Sequence, residues 1–171
     1  MAAPTTVLAC PSASAFNPIS RKSRPGRGGE RKEVKPLGNT NRKVGTGFEK
    51  DLCLSLAGYG FWAHNLAQNA QGQPFDVIAA RNGKAYPIDC KVCEKDIFRL
   101  GRIEENQYSA MTLWRMTGNG DGWFALRMTN GEVWLLSLTA LERAMITRSS
   151  LYWSEIKQFG VPLGEWVQQC E

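Results

Sequence analysis

The sequence predicts an α/β fold, with a mixed central β-sheet flanked by helices and preceded by a disordered basic N-terminal arm. Three observations carry that expectation. Runs of β-branched and aromatic residues come in pairs joined by turn signals, at Asn82-Gly83 and again at Asn130-Gly131. Around those pairs stand stretches whose apolar residues recur at helical spacing. The charge is also split: residues 1–43 hold nine Lys or Arg against two Glu, a net +7, whereas the remainder holds 12 basic and 14 acidic residues, a net −2.

The 171 residues, 43% of them hydrophobic, suit one globular domain with a single core and some extra chain. Residues 1–42 are read as the arm and residues 43–171 as the folded domain. The arm is rich in Pro, Gly, Ser and Ala and lacks apolar periodicity, so it cannot bury enough surface to offset the entropy of ordering it. The cations of residues 1–43, Arg21, Lys22, Arg24, Arg27, Arg31, Lys32, Lys35, Arg42 and Lys43, fit a polyanion, because each phosphate contact releases counterions. The alternative is an arm that serves only solubility.

The opening "MAAPTTVLAC" lacks the charged start and sustained apolar run of a signal peptide, and no segment approaches the ~20 apolar residues of a membrane span. The expectation is a cytoplasmic protein with no membrane partner. Five cysteines, an odd number without framework spacing, agree with a reducing compartment. Cys90 and Cys93 form a CxxC, but with only Cys53 and His64 as further candidates a four-ligand zinc site is disfavoured, and buried cysteine is the default.

Along the chain, Phe48, Leu52 and Leu56 form one apolar helical stripe that Gly58 and Gly60 close, with Glu49 beside it. "FWAHNLA" reads as a strand and "QNAQGQ" as a loop. "FDVIAAR" and "KAYPIDCKV" are the two arms of the Asn82-Gly83 hairpin, within which Pro87 is awkward, since proline removes a ladder donor. "IEENQYSAMTLWRM" predicts a helix over 103–116 with acids in its first turn. "WFALRMT" and "EVWLLSL" form the second hairpin, and Thr139 with Glu142 predicts a capping box opening a helix through Ala144 and Ile146. The last stretch is aromatic and amphipathic without a clear assignment.

The chemistry lies in the first hairpin. Alternation on a strand puts Asp89 and Lys91 on one face and Cys90 on the other. With Asn82 and Gly83 at the turn, residues whose numbers sum to 165 pair, which sets Asp89 opposite Asp76. Two facing carboxylates repel unless a cation lies between them. With Glu49 from the neighbouring helix they make an all-oxygen pocket suited to Mg²⁺ or Mn²⁺. Lys91 beside such an ion can position or help deprotonate an attacking water and stabilise charge on a phosphate, which points to phosphodiester hydrolysis. An Asp and a Lys two apart are elsewhere often a solvated pair worth about 0 to 1 kcal/mol.

At these residues the sequence resembles the PD-(D/E)xK nuclease superfamily and, within it, Holliday junction resolvases of the archaeal Hjc and bacterial RecU type, including phage-encoded relatives. The matching elements are "GTGFE" ending at Glu49, "PFD" ending at Asp76, "DCK" over Asp89 to Lys91 and "RIEENQ" ending at Gln107. The resemblance implies a restriction-endonuclease-like core. It makes Asp76, Asp89 and the Cys90 backbone carbonyl metal ligands, with Glu49 binding the metal directly or through water, Lys91 activating water, and Gln107 holding that water or a phosphate. For Gln107 the alternative is an ordinary helix surface residue. Lys95, Arg99 and Arg102 would grip DNA phosphates, with a solvated face as the equal alternative.

The resemblance further implies a homodimer acting on branched double-stranded DNA by symmetric nicks at a four-way junction, with Mg²⁺ or Mn²⁺ and no organic cofactor. Two departures stand out: Asp89 replaces the more usual glutamate, and the tight hairpin leaves no room for the stalk-like insertion of RecU. The core is thus closer to Hjc, while the basic arm is similar to that of RecU. Another nuclease of the superfamily, for restriction or replication-repair, and a non-catalytic DNA-binding accessory protein are the competing readings. Most tryptophans are expected in the core, and His64 is left out of the site.

Overall fold

The first helix, α1, spans Gly38–Gly58 and owes its stability to tertiary contact rather than propensity. The chain is described by a computed structural model over residues 38–67 and 73–170, with side chains from Val44 onward. Gly45 and Gly47 inside α1 each cost about 1 kcal/mol relative to alanine. Phe48, Leu52 and Leu56 are all fully buried, and at about 1.5–3 kcal/mol each their burial outweighs that cost. The helix ends where Gly60 takes φ +81° and the Phe61 N–H donates to Leu56 O.

The strands β1 (Trp62–Asn65), β2 (Val77–Arg81) and β3 (Lys84–Val92) form an antiparallel meander, and β3 then pairs in parallel with β5 (Trp123–Arg127). Next come β6 (Val133–Ser137) and the two-residue β8 (Val161–Pro162), giving the order β1-β2-β3-β5-β6-β8 in one mixed sheet. A short separate pair joins β4 (Ile97–Arg99) to β7 (Ser150–Tyr152). The helices α2 (Glu105–Met116), α3 (Leu138–Met145), α4 (Trp153–Phe159) and α5 (Leu163–Gln169) complete the fold.

Alternation along the strands divides the core in two. Val77, Ile88, Ala125 and Leu135 face α1 and Trp166 of α5, whereas Phe124, Leu126 and Leu136 face Met111, Leu141 and Ile156 of α2, α3 and α4. The mixed sheet flanked by helices is the architecture the sequence predicts.

The first hairpin keeps its predicted register from Arg81↔Lys84 to Val77↔Ile88, with Asn82 and Gly83 at φ 51° and 74°, as a two-residue turn of matching twist requires. Pro87 is buried inside β3, opposite Ile78. Counting alternation from the closing pair, Ile78–Pro87 is a pair without ladder bonds, so the missing N–H faces away from β2. On that other side β5 begins to pair only at Ile88. The proline therefore removes no ladder bond from either neighbour.

Two expectations need correction. The 103–116 helix starts at Glu105, with Ile103 and Glu104 in its approach. The helix α3 is capped by Ser137, whose hydroxyl accepts from the Ala140 N–H, and Thr139 lies within the first turn. Glu142 turns sideways to Arg115 (2.9 and 3.0 Å) and to the Tyr108 hydroxyl (3.0 Å), tying α3 to α2. The hydroxyl one residue before the first helical position reaches the open N–H groups, which a residue inside the turn does not. Accordingly, Ser137→Ala should lower stability in urea unfolding by about 1 kcal/mol, and Thr139→Ala by less.

Candidate active site

β3 carries an acid and a lysine past the start of α2, and the contacts there are short. The Asp89 side chain is 0% exposed, and Lys91 Nζ lies 2.7 Å from its Oδ2. The same ammonium donates to Gln107 Oε1 at 3.0 Å. Gln107, itself buried, is held by the start of its own helix: Oε1 also accepts the Glu104 N–H at 3.2 Å, half of a capping box in which the Glu104 side chain accepts from the Gln107 backbone.

Asp76 stands just before β2, and the ladder stops one step short of the predicted Asp76–Asp89 pair. The Asp76 N–H donates to Ile88 O, and its carbonyl accepts the Leu66 N–H. The Asp76 carboxylate instead accepts the Cys90 N–H at 2.7 Å, which brings it beside Asp89 through the backbone of β3. Glu49, on α1, accepts from Asn65 Nδ2 at 3.1 Å, and Asn65 is held in turn by the Cys53 thiol.

The electrostatics show that these acids share one region. Burial pushes the Asp89 carboxyl up to about 7; the Lys91 ammonium opposes this, while the charges of Asp76 and Glu104 add to it. Burial also raises Asp76, against the Cys90 N–H and Lys91, and raises Glu49 together with the charge of Asp76. Two contributors escaped the sequence reading. Glu104 stands inside the quoted "RIEENQ" yet looks there like a helix-start acid, and Asn65 has no signal beyond its place on a strand beside α1.

The donor set fits a hard divalent cation. Asp89 Oδ1 is buried without a hydrogen-bond partner, and the available donors are carboxylate oxygens and main-chain carbonyls. Among the described residues no three His, Cys, Asp or Glu form a group able to hold a metal ion. An octahedral cation that keeps several waters needs only one or two carboxylates from the protein.

Burial drives the Cys90 thiol well above its ordinary pKa, and Cys53, Cys90, Cys93 and Cys170 are all free. Lys95, Arg99 and Arg102 line a cleft against β3. Arg21, Lys22, Arg24, Arg27, Arg31, Lys32 and Lys35 lie outside the described residues, and Arg42 and Lys43 fall in the first turns of α1. Trp166 is buried, whereas Trp62 is 60% exposed with the His64 ring against it. Among the described residues no helix is long and apolar enough to cross a membrane.

The model of one protein family, archaeal Holliday junction resolvase (Hjc), matches residues 40–170. A solved structure of Archaeoglobus fulgidus Hjc, a Holliday junction resolvase from an archaeal hyperthermophile, is similar with a TM-score of 0.57 at 22% identity, over 73% of this chain and 96% of that one. That likeness shows the fold. None of the curated proteins matches the chain.

A pH dependence follows from the raised Asp89 carboxyl. A carboxyl that is easier to protonate when folded stabilises the fold below its unfolded value of 3.8, and this contribution is lost as pH rises toward about 7. In EDTA, Asp89→Asn should therefore raise the melting temperature at pH 8 and leave it nearly unchanged at pH 4. Equal effects at both pH values would contradict the burial argument.

Proposed function

The chain belongs to the archaeal Holliday junction resolvase (Hjc) family, within the PD-(D/E)xK nuclease superfamily, and from that premise we propose that it is a Mg²⁺-dependent endonuclease that nicks four-way DNA junctions symmetrically. The observation that carries the reading is the buried Asp89, one oxygen against the Lys91 ammonium and the other without a partner, with Asp76 one hydrogen bond away along β3. A merely structural strand gains nothing from an acid so placed, since burying an incompletely paired carboxylate is costly.

Asp76, Asp89 and the Cys90 carbonyl would hold the cation, with Glu49 binding it through water; Mg²⁺ or Mn²⁺ suits such an oxygen set. Bound there, the ion supplies Lewis acidity toward a phosphate oxygen and toward water. The chain's own groups do the rest. The Lys91 ammonium has three N–H donors, of which Asp89 and Gln107 engage two. The third is available to orient the attacking water or to stabilise charge gathering on the phosphate. Gln107 fixes the ammonium, and it is fixed itself by the capping box of α2.

Two symmetric nicks call for two copies of the site, so the working form is a two-fold homodimer. The basic chain ahead of α1 is the DNA-holding arm, the chain from α1 onward is the nuclease domain, and Lys95, Arg99 and Arg102 contact phosphates near the cut. A protein with this substrate works where the DNA is, in the cytoplasm.

Synthetic four-way junctions and linear duplexes, each incubated with Mg²⁺ or with EDTA, test the activity. Paired symmetric nicks in the junction alone are expected. Cutting of duplex alone would point to another nuclease role, and metal-independent binding without cutting to an accessory protein. Asp89→Asn should abolish cleavage while sparing junction binding, and Lys91→Ala should slow it at least about a hundredfold. Deleting residues 1–37 should weaken binding and flatten its salt dependence, and an unchanged slope would leave the arm without a DNA role.

A further inference from the structure

The turn that follows β3 is strained and clamped, and it borders a concave basic surface. A cleft of about 400 Å³ is walled by Val44 and Gly45 of α1 and by Cys90 and Val92 of β3. Those two β3 residues point to the α1 side, while Asp89 and Lys91 point to the other. A ligand in the cleft is therefore separated from the Asp89–Lys91 pair by the thickness of one strand.

The rim is cationic. Lys95, Arg99 and Arg102 face it, with Glu94 as the one acid among its lining residues. Among the described residues neither the Lys95 nor the Arg99 side chain has a hydrogen-bond or ion-pair partner. Arg102 spends one guanidinium N–H on Val92 O at 2.7 Å, which fixes its position without neutralising its charge. Uncompensated cations around a concavity raise the local concentration of anions, and guanidinium groups match phosphate oxygens two at a time.

The turn itself distinguishes this surface from an ordinary solvated face. Lys95 and Asp96 are consecutive non-glycine residues in the left-handed region, at φ 57° and 53°. Such residues persist only where the surroundings hold them, and they gather at ligand-gripping sites. The hold is visible. The Asp96 carboxylate accepts the Thr129 N–H at 2.9 Å, and the Thr129 hydroxyl lies 2.8 Å from each of its oxygens. Thr129 belongs to the turn joining β5 to β6, so the clamp ties the segment leaving the catalytic strand to the neighbouring hairpin.

We propose that this cleft binds a DNA backbone phosphate other than the scissile one, and that Asp96 is a positioning residue that keeps the Lys95 turn in the shape the phosphate needs. The inference rests on the junction-endonuclease reading above and assigns to that site a second grip on the strand being cut.

The test is binding of the full-length protein to a synthetic four-way junction in EDTA, followed by fluorescence anisotropy across a salt series. Lys95→Asn keeps a residue that tolerates the left-handed turn and removes the charge, while Arg99→Gln removes the other free cation. Each should weaken binding about tenfold at fixed salt and lower the slope of log Kd against log salt by about 1. Asp96→Ala takes a negative charge away from the DNA surface, so simple electrostatics predicts tighter binding; the proposal predicts weaker binding and a lower slope. Thr129→Val should do the same, and Asp96→Asn, which keeps an oxygen for the Thr129 hydroxyl, should restore most of the affinity.

Unchanged slopes in Lys95→Asn and Arg99→Gln, or tighter binding by Asp96→Ala, would overturn the proposal. Circular dichroism checks the fold, and if Asp96→Ala unfolds then Thr129→Val decides the clamp. Should the wild type bind the junction yet fail to cut it with Mg²⁺, the nuclease reading falls while the salt slopes still decide the cleft.

Discussion

Asp89 sits fully buried with its carboxylate held at one oxygen by Lys91, and much of the surrounding fold is what keeps an acid in that position. A lone ionised carboxylate in such a place would simply take up a proton, and burial does push this one in that direction. Lys91 opposes the shift, while Asp76 and Glu104 reinforce it.

The scaffold for that pair is layered. β3 pairs antiparallel with β2 from Lys84 to Ile88 and in parallel with β5 from Ile88 to Val92, so the two ladders meet at Ile88. Beyond that point the β5 ladder and the Asp76 carboxylate at the Cys90 N–H hold the strand where Asp89, Cys90 and Lys91 emerge. The start of α2 then supplies Gln107, whose one oxygen serves two purposes: it closes the capping box by accepting from Glu104 and it fixes the Lys91 ammonium. The helix start and the site are thus a single hydrogen-bonded unit, and losing the cap would loosen the lysine.

The electrostatic layout separates the two signs of charge. Asp76, Asp89 and Glu104 act on one another on one side, and the cations Lys95, Arg99 and Arg102 border the cleft against the other side of β3. The Asp96–Thr129 clamp holds the turn immediately after β3.

The sequence by itself determined the hairpin and its register, because Asn82-Gly83 closes a two-residue turn and every pair from Arg81↔Lys84 to Val77↔Ile88 then follows by counting. It also determined the α1 stripe, the alternation that sends Asp89 and Lys91 to one face, and the short motifs that mark the family. These are local properties, set by turn chemistry and by periods of 2 and 3.6 residues. Tertiary structure alone decided how Asp76 meets Asp89: the Asp76 N–H goes to Ile88 O and its carboxylate to the Cys90 N–H, a departure from the ladder that counting cannot reveal. The same holds for Ser137 as the cap of α3, for the harmless place of Pro87 and for the short C-terminal elements, where Ile156 and Trp166 fill the core from helices of seven residues each. Glu104 and Asn65 joined the site only in three dimensions, because an acid at a helix start and an amide on an edge strand look ordinary until distant carboxylates are packed against them.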